Sequence, residues 1–153
     1  ETFKITIDMG ANIVLHTAYN DANPGEKRAF IGFFGRHFPH ASLESISEAL
    51  ECALKRRPSF GGFVLSLCEG SKIRAAVIAN KTGMDGFQPG HQFVFVAFDR
   101  DLDKATVLAF LQKAKMYAKG GISLHLKKDH PAIAYFKDLG FNEEYVELRS
   151  SAS

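Results

Sequence analysis

From Phe93 to Phe98 the chain reads Phe-Val-Phe-Val-Ala-Phe, six apolar residues in succession. A strand with one wet face alternates apolar and polar side chains, whereas a strand covered on both faces is apolar throughout. The run therefore predicts a central, doubly covered strand, and such a strand needs a packed layer on each side of its sheet. Four helical patterns can supply those layers. Glu26 to His37 is rich in Phe30, Ile31, Phe33 and Phe34, with Phe38 just beyond, although Gly32 and Gly35 work against helix there. Ser42 opens a clearer helix with Glu44 in its first turn; Leu43, Ile46, Leu50, Ala53 and Leu54 follow the helical period and Pro58 ends it. Asp103 can cap a helix over Lys104 to Ala118, where Val107, Leu111, Ala114 and Ala118 form one stripe that Gly120-Gly121 stops. Pro131 sits in the first turn of a short helix with Ala132, Tyr135, Phe136 and Leu139 facing one way, and Gly140 ends it.

The intervening segments read as strands. Residues 3–8 and 12–17 look extended, with Ile5, Ile7, Ile13 and Leu15 at alternating positions, and a turn cluster spans Asn20 to Gly25. Phe63 to Cys68 is an apolar run closed by Glu69-Gly70-Ser71, Lys72 to Ala79 alternates weakly, and a loop with three glycines follows from Asn80 to Gly90. Ile122, Leu124 and Leu126 alternate with Ser123 and His125 in a half-buried strand, and Phe141 to Leu148 reads as the last strand. The order predicts one α+β domain over residues 1–153 with a mixed sheet.

Composition narrows the function classes. Nineteen Lys and Arg against seventeen Asp and Glu leave a net charge of +2, too small and too evenly spread for a dedicated nucleic-acid binder or a polybasic membrane patch. No apolar run approaches the ~20 residues of a membrane span, and the amino terminus lacks a signal-like core, so a cytoplasmic protein is expected. The chain opens on Glu1 without a methionine, so a few residues are expected to be missing or trimmed. Cys52 and Cys68 have no metal or redox spacing and read as structural thiols. Asp99, Asp101 and Asp103 alternate as in a calcium loop, but Lys104 and Phe110 occupy the positions where that loop needs Gly and Glu. There is no Ser-His-Asp order, phosphate-binding P-loop or zinc spacing.

The element order, with Leu139-Gly140-Phe141 near its end, resembles the GNAT superfamily of acyl-CoA N-acyltransferases, most clearly over residues 61–148. The family's closing signature reads approximately Asn-x-x-Ala-x-x-x-Tyr-x-x-x-Gly-Phe. Anchored on Gly140-Phe141, it places the Asn at Asp129, the Ala at Ala132 and the Tyr at Phe136, with a tyrosine one residue earlier at Tyr135. The resemblance implies a three-layer α/β/α domain with a central mixed, mainly antiparallel sheet and acetyl-CoA as co-substrate. It also implies that the strand at Phe93–Phe98 offers backbone to the pantetheine arm, with amides around Val96, Ala97 and Phe98 polarising the thioester carbonyl. The family's Arg-x-x-Gly-x-Gly stretch should fall within Asp99 to Thr106. Here that segment has no glycine and three acids against two bases. In one reading the amides of Lys104, Ala105 and Thr106 still hold the pyrophosphate, with Arg100 or Lys104 near phosphate and the Thr106 hydroxyl bonding to it. In the other, the loop has lost CoA, and its acids cap the helix and face water.

For the chemistry, the resemblance points to Tyr135 as the acid for the leaving thiolate; on a helix it is rotated ~100° from the Phe136 position. His91, the nearest titratable side chain before the central strand, is the candidate base, against a plain loop histidine. His37 and His40 read as surface residues, His125 as facing solvent or a partner, and His130 as a helix-capping neighbour of Pro131. The phenylalanine cluster at residues 30–38 reads as core that could also line an apolar acceptor pocket. The expectation is an N-acetyltransferase that moves an acetyl group from acetyl-CoA to a small-molecule or protein amine by direct attack. The alternative is a catalytically inactive GNAT-fold protein that binds an acyl-CoA, another ligand or a protein partner. A third reading is a structural domain whose splayed sheet is filled by a neighbouring chain, as in a homodimer.

Overall fold

The computed structural model describes residues 3–8, 11–55, 61–84, 86 and 88–151, and of residues 3–8 and 11 the backbone alone. Pro58 and the side chains of Ile5 and Ile7 lie outside the described residues. The elements run β1 (Phe3–Asp8), β2 (Ala11–His16), α1 (Pro24–His37), α2 (Leu43–Ala53), β3 (Gly62–Glu69), β4 (Lys72–Lys81), β5 (His91–Phe98), α3 (Lys104–Tyr117), β6 (Ile122–Leu124) and α4 (Ala132–Asp138). The strands form one sheet in sequence order. Its first five members pair antiparallel and β6 pairs parallel to β5. A parallel neighbour requires a crossover, and α3 provides it.

The helices start where side chains satisfy their first amides. Asn23 accepts from Glu26 N–H while the Glu26 carboxylate accepts from Asn23 N–H, a reciprocal capping box that lets α1 continue through Gly32 and Gly35. Ser42 and Asp103 cap α2 and α3, as their sequence positions predict.

Two cores lie on opposite faces of the sheet. On one face, Phe30, Phe33 and Phe34 of α1 and Ile46 and Leu50 of α2 pack on Val64, Ala76 and Ile78. On the other, Val107, Phe110 and Leu111 of α3 and Phe136 of α4 pack on Leu65, Val77 and Phe93. The result is the expected three-layer α/β/α arrangement. Each fully buried phenylalanine contributes ~1.5–3 kcal/mol by leaving water, so the phenylalanine stripe of α1 is first of all core.

The last predicted strand does not form. Residues 141–150 have no strand structure, and Tyr145, Val146 and Leu148 are 83%, 86% and 89% exposed. β6 explains this. It is three residues long rather than the five expected, and its pairing with β5 ends at Leu124, so it offers the tail too short a ladder.

Candidate functional site

The site begins with a β-bulge. In the β4–β5 pairing Ile78 faces Phe95 while Ala79 faces Phe93, leaving Val94 as the extra residue. A bulge reverses the direction in which successive backbone groups point, and two hydrogen bonds record the reversal. His91 N–H points to the β6 side and donates to Gly121 O (3.2 Å), whereas Asp99 N–H points to the β4 side and donates to Arg74 O (2.8 Å). Alternation then turns the Val96 and Phe98 amides away from β4, toward the side where β6 would lie. β6 is no longer there, because its last pair with β5 is Phe93–Leu124. Among the described residues no strand pairs with this stretch of the edge. The two strands part after Phe93, and the cleft between them has unpaired amides along one wall.

Beyond Phe98 the chain enters the acidic loop, and a residue that sequence reasoning missed organises it. Arg74, 8% exposed, donates through Nε to Asp99 Oδ2 (2.8 Å), through Nη1 to Glu69 Oε1 (2.9 Å) and through Nη2 to Asp101. The other Asp99 oxygen lies 3.1 Å from His37 Nε2 at the end of α1, so His37 is half-buried rather than a free surface residue. The hydrogen bond from Arg74, with its charge, holds the Asp101 carboxyl below its usual range. An arginine in an apolar strand is the only sequence signal of this cluster, and its two aspartate partners are 25 and 27 residues away.

Asp103 is consumed by the helix it starts. Its Oδ1 accepts from Thr106 N–H at 2.8 Å, and the Thr106 hydroxyl and amide together keep its carboxyl ionised to lower pH than usual. The Thr106 amide is thereby occupied. Lys104 Nζ reaches Asp138 Oδ2 on α4 at 3.1 Å, which ties the start of α3 to the end of α4. Arg100, Ala105 and Asp129 are exposed.

The two residues expected to do proton chemistry are not brought together. Tyr135 is half-buried with its ring edge-on to Phe98, at 5.1 Å and 72°. His91 stands at the other end of β5, 8% exposed, its ring 6.1 Å from that of Phe63. Seven residues of strand separate Phe98 from His91, about 23 Å. Phe136, in the place the signature gives to tyrosine, is 3% exposed and packs between Phe93 (6.3 Å) and Phe141 (5.1 Å), at the point where the strands part.

His130 caps as its sequence position predicts. Its Nδ1 accepts from Ala132 N–H at 3.0 Å, which requires a neutral ring, and burial lowers its pKa below 6.5. The folded state therefore prefers the unprotonated form. Stability from this group is present above about 6.5 and lost as pH falls through that value toward the lower folded pKa. We expect the urea midpoint to fall between pH 7.5 and pH 5. In His130→Asn, whose amide oxygen can accept the same hydrogen bond without titrating, that pH dependence should shrink. An undiminished pH dependence in the variant would assign the effect elsewhere.

Among the described residues no group of three His, Cys, Asp or Glu side chains could hold a metal ion, and no helix is long and apolar enough to cross a membrane. No protein-family model matches the chain, and no curated protein does. Solved structures do. The aminoglycoside acetyltransferase meta-AAC0020 from an uncultured soil metagenomic sample, in complex with sisomicin, is 13% identical, with 97% of this chain and 100% of that chain covered and a TM-score of 0.62. The aminoglycoside N-acetyltransferase AAC(6')-Iy in complex with CoA is 10% identical over 97% and 100% of the two chains, with a TM-score of 0.67. A possible acetyltransferase from Clostridium difficile 630 is 11% identical over 92% and 97%, with a TM-score of 0.60.

Proposed function

From the GNAT acetyltransferase fold that the chain carries, we infer an acyl-CoA-dependent N-acetyltransferase that transfers an acetyl group from acetyl-CoA to an amine. The observation that carries this reading is the open edge of β5, where the strands part after Phe93 and the Val96 and Phe98 amides turn away from β4. Backbone donors fixed in a strand suit a thioester carbonyl, because they stabilise the oxyanion of the tetrahedral intermediate without reorganising. The pantetheine amides would extend the sheet along Val96, Ala97 and Phe98 in the manner of an added strand. At the end of the strand, the first-turn amides of Lys104 and Ala105 lie at a helix amino terminus, a natural pyrophosphate site, with Arg100 exposed four residues earlier in the chain and Asp129 exposed ahead of α4.

The acidic loop is less hostile to phosphate than its sequence suggests, because Arg74 offsets part of the charge of Asp99 and Asp101. Direct attack by a neutral amine on the thioester carbon then needs no covalent enzyme intermediate. Tyr135, edge-on to Phe98, is the side chain we assign to protonate the leaving thiolate. In favour of an inactive binding protein stand two features, the Asp103 carboxylate over the helix start and Phe136 where a tyrosine hydroxyl would serve.

Thermal unfolding with excess acetyl-CoA tests the reading, with desulfo-CoA as a control for the thioester. At ~100 times Kd a ligand stabilises the native state by about 2.7 kcal/mol, a rise of roughly 5–10 °C in Tm for a chain of this size. A rise accompanied by release of CoA thiol when an amine is added, and slowed in Tyr135→Phe, supports the transferase. A rise without thiol release supports the inactive binder. No rise at millimolar ligand removes the transferase and leaves a fold that binds another ligand or a partner.

A further inference from the structure

The two sides of the open β5 edge differ. On the α3 side stand Phe98 and Tyr135, ring against ring. On the α1 side the bulge sets two apolar side chains next to each other. Phe93 and Val96 belong to the core under α3, and Phe95 and Ala97 to the core under α1. Alternation from Phe93 puts Val94 on the α1 side as well, beside Phe95. Val94 is 38% exposed and Phe95 is half-buried. α1 lies over β4 and β5, while α2 lies over β3 and β4, so α1 is the helix nearer the open edge. It adds Ile31 and, at its end, Phe38, both half-buried. The Phe95 ring packs against those of Phe34 (5.8 Å) and Phe38 (5.3 Å). Phe95 is bonded directly to Val96, so this aromatic wall begins one residue from an amide that turns away from β4. The carboxylates nearest the ends of the opening already hold cations. Asp99 is bonded to Arg74 and His37, and Glu147, against His125 just past the last β5–β6 pair, is bonded to Arg149.

We propose that the acceptor is a primary amine on an apolar body, an arylalkyl or alkyl amine rather than a polycation, and that Phe38, Val94 and Phe95 select it. The inference rests on the transferase reading and adds to it the class of substrate. An apolar body gains by covering the exposed valine and the half-buried rings, because both surfaces leave water. A polycation gains little there, since Asp99 and Glu147 already have counter-charges and the wall itself offers only hydrocarbon. The wall also favours the reactive form of the acceptor. Apolar surroundings disfavour an ammonium ion, and only the neutral amine has a lone pair with which to attack. With its body against Phe95 and Phe38, the amine reaches the thioester from the α1 side, opposite Tyr135. Its nitrogen then forms the N–C bond to the carbonyl carbon, and the C–S bond breaks with its electron pair going to sulfur. The thiolate takes a proton from Tyr135, the surplus proton on nitrogen passes to water, and water restores the tyrosine.

The test is release of CoA thiol from acetyl-CoA with four acceptor probes, 2-phenylethylamine, methylamine, spermidine and sisomicin, measured on the full chain and compared at equal concentrations of neutral amine. One methylene in an apolar pocket is worth about tenfold or more. 2-Phenylethylamine should therefore exceed methylamine in kcat/KM by at least about a hundredfold, and should exceed both polycations. Phe38→Ala should lower kcat/KM for 2-phenylethylamine by at least about tenfold more than for methylamine, mainly through KM. A purely structural loss would lower both alike. Val94→Asp changes an exposed side chain and so spares the core; it puts a carboxylate on the wall and should shift the ratio of 2-phenylethylamine to spermidine by at least about tenfold toward spermidine. Turnover of spermidine or sisomicin at or above that of 2-phenylethylamine overturns this inference and leaves the transferase reading intact. So does a pair of variants that leaves these ratios within threefold of wild type. A chain that releases no thiol with any of the four amines overturns both.

Discussion

Gly62→Ala should unfold this domain at a much lower temperature, with a loss of about 4 kcal/mol or more and a fall in Tm of roughly 10–15 °C. Gly62 begins β3 with φ +144°, and a Cβ there would lie 1.9 Å from the carbonyl oxygen of Ala79 and 2.9 Å from its carbonyl carbon. Both atoms are backbone of β4, so no side chain can move aside to relieve the clash. β3 and β4 are the central strands of the sheet and contribute to both cores, so separating them disturbs both layers. Gly70→Ala provides the contrast. It has φ +59° with nothing within 4 Å of the added carbon, so it should cost only the ~1–2 kcal/mol of the left-handed conformation. Circular-dichroism melts of the two variants check the pair. Equal losses would mean that strain at φ, not the β4 backbone, sets the cost at Gly62.

Arg74→Met should be the second large effect. It keeps an apolar stem and removes the cation that Glu69, Asp99 and Asp101 share. Breaking a fully buried ion pair typically costs ~3–5 kcal/mol. Glu69 and Asp101 stay in contact with water, so about 2–4 kcal/mol is expected here. The pH dependence distinguishes this from lost packing. Arg74 depresses the folded pKa of Asp101 below 3.8, so its contribution is present above that value and lost as pH falls through the folded pKa. Wild type should therefore lose stability on acidification below about pH 4, while Arg74→Met, with its carboxylates left to repel one another, should lose less. Tm measured from pH 7 to pH 3 should show the gap between the two proteins narrowing. A constant gap would mean that the loss is not linked to carboxylate titration and comes from packing.

Both predictions depend on features that a linear reading does not reach, for physical reasons. The apolar run at Phe93–Phe98 announces a strand covered twice. It conceals the bulge, because when both faces are apolar an inserted residue leaves no break in the pattern. Asp103 is legible, since a cap needs only a partner three residues away. The Arg74 cluster is not, since its partners meet only after β4 and β5 have paired. The tail from Phe141 to Leu148 has the composition of a strand, but strand formation is a property of two edges, and β6 supplies only three residues. Tyr135 and Phe136 show the limit of reading a helix face. The register identifies the aromatic pair, while the packing of Phe93 and Phe141 decides that the phenylalanine points inward and the tyrosine rests on Phe98. The fold was thus largely readable from local pattern, and the site only where its chemistry lies in the backbone.

The parting of β5 from β6 also bears on what else could pair with this edge. Unpaired strand amides are templates on which other chains polymerise, and soluble proteins commonly blunt such edges with charge, covering segments or strong local twist. Here the stretch of edge beyond Phe93 lies between two parting strands, next to a bulge and just ahead of an acidic turn. A flat foreign strand meets curvature and like charge, while a thin, flexible arm meets neither. An opening of that shape acts as a steric filter against aggregation.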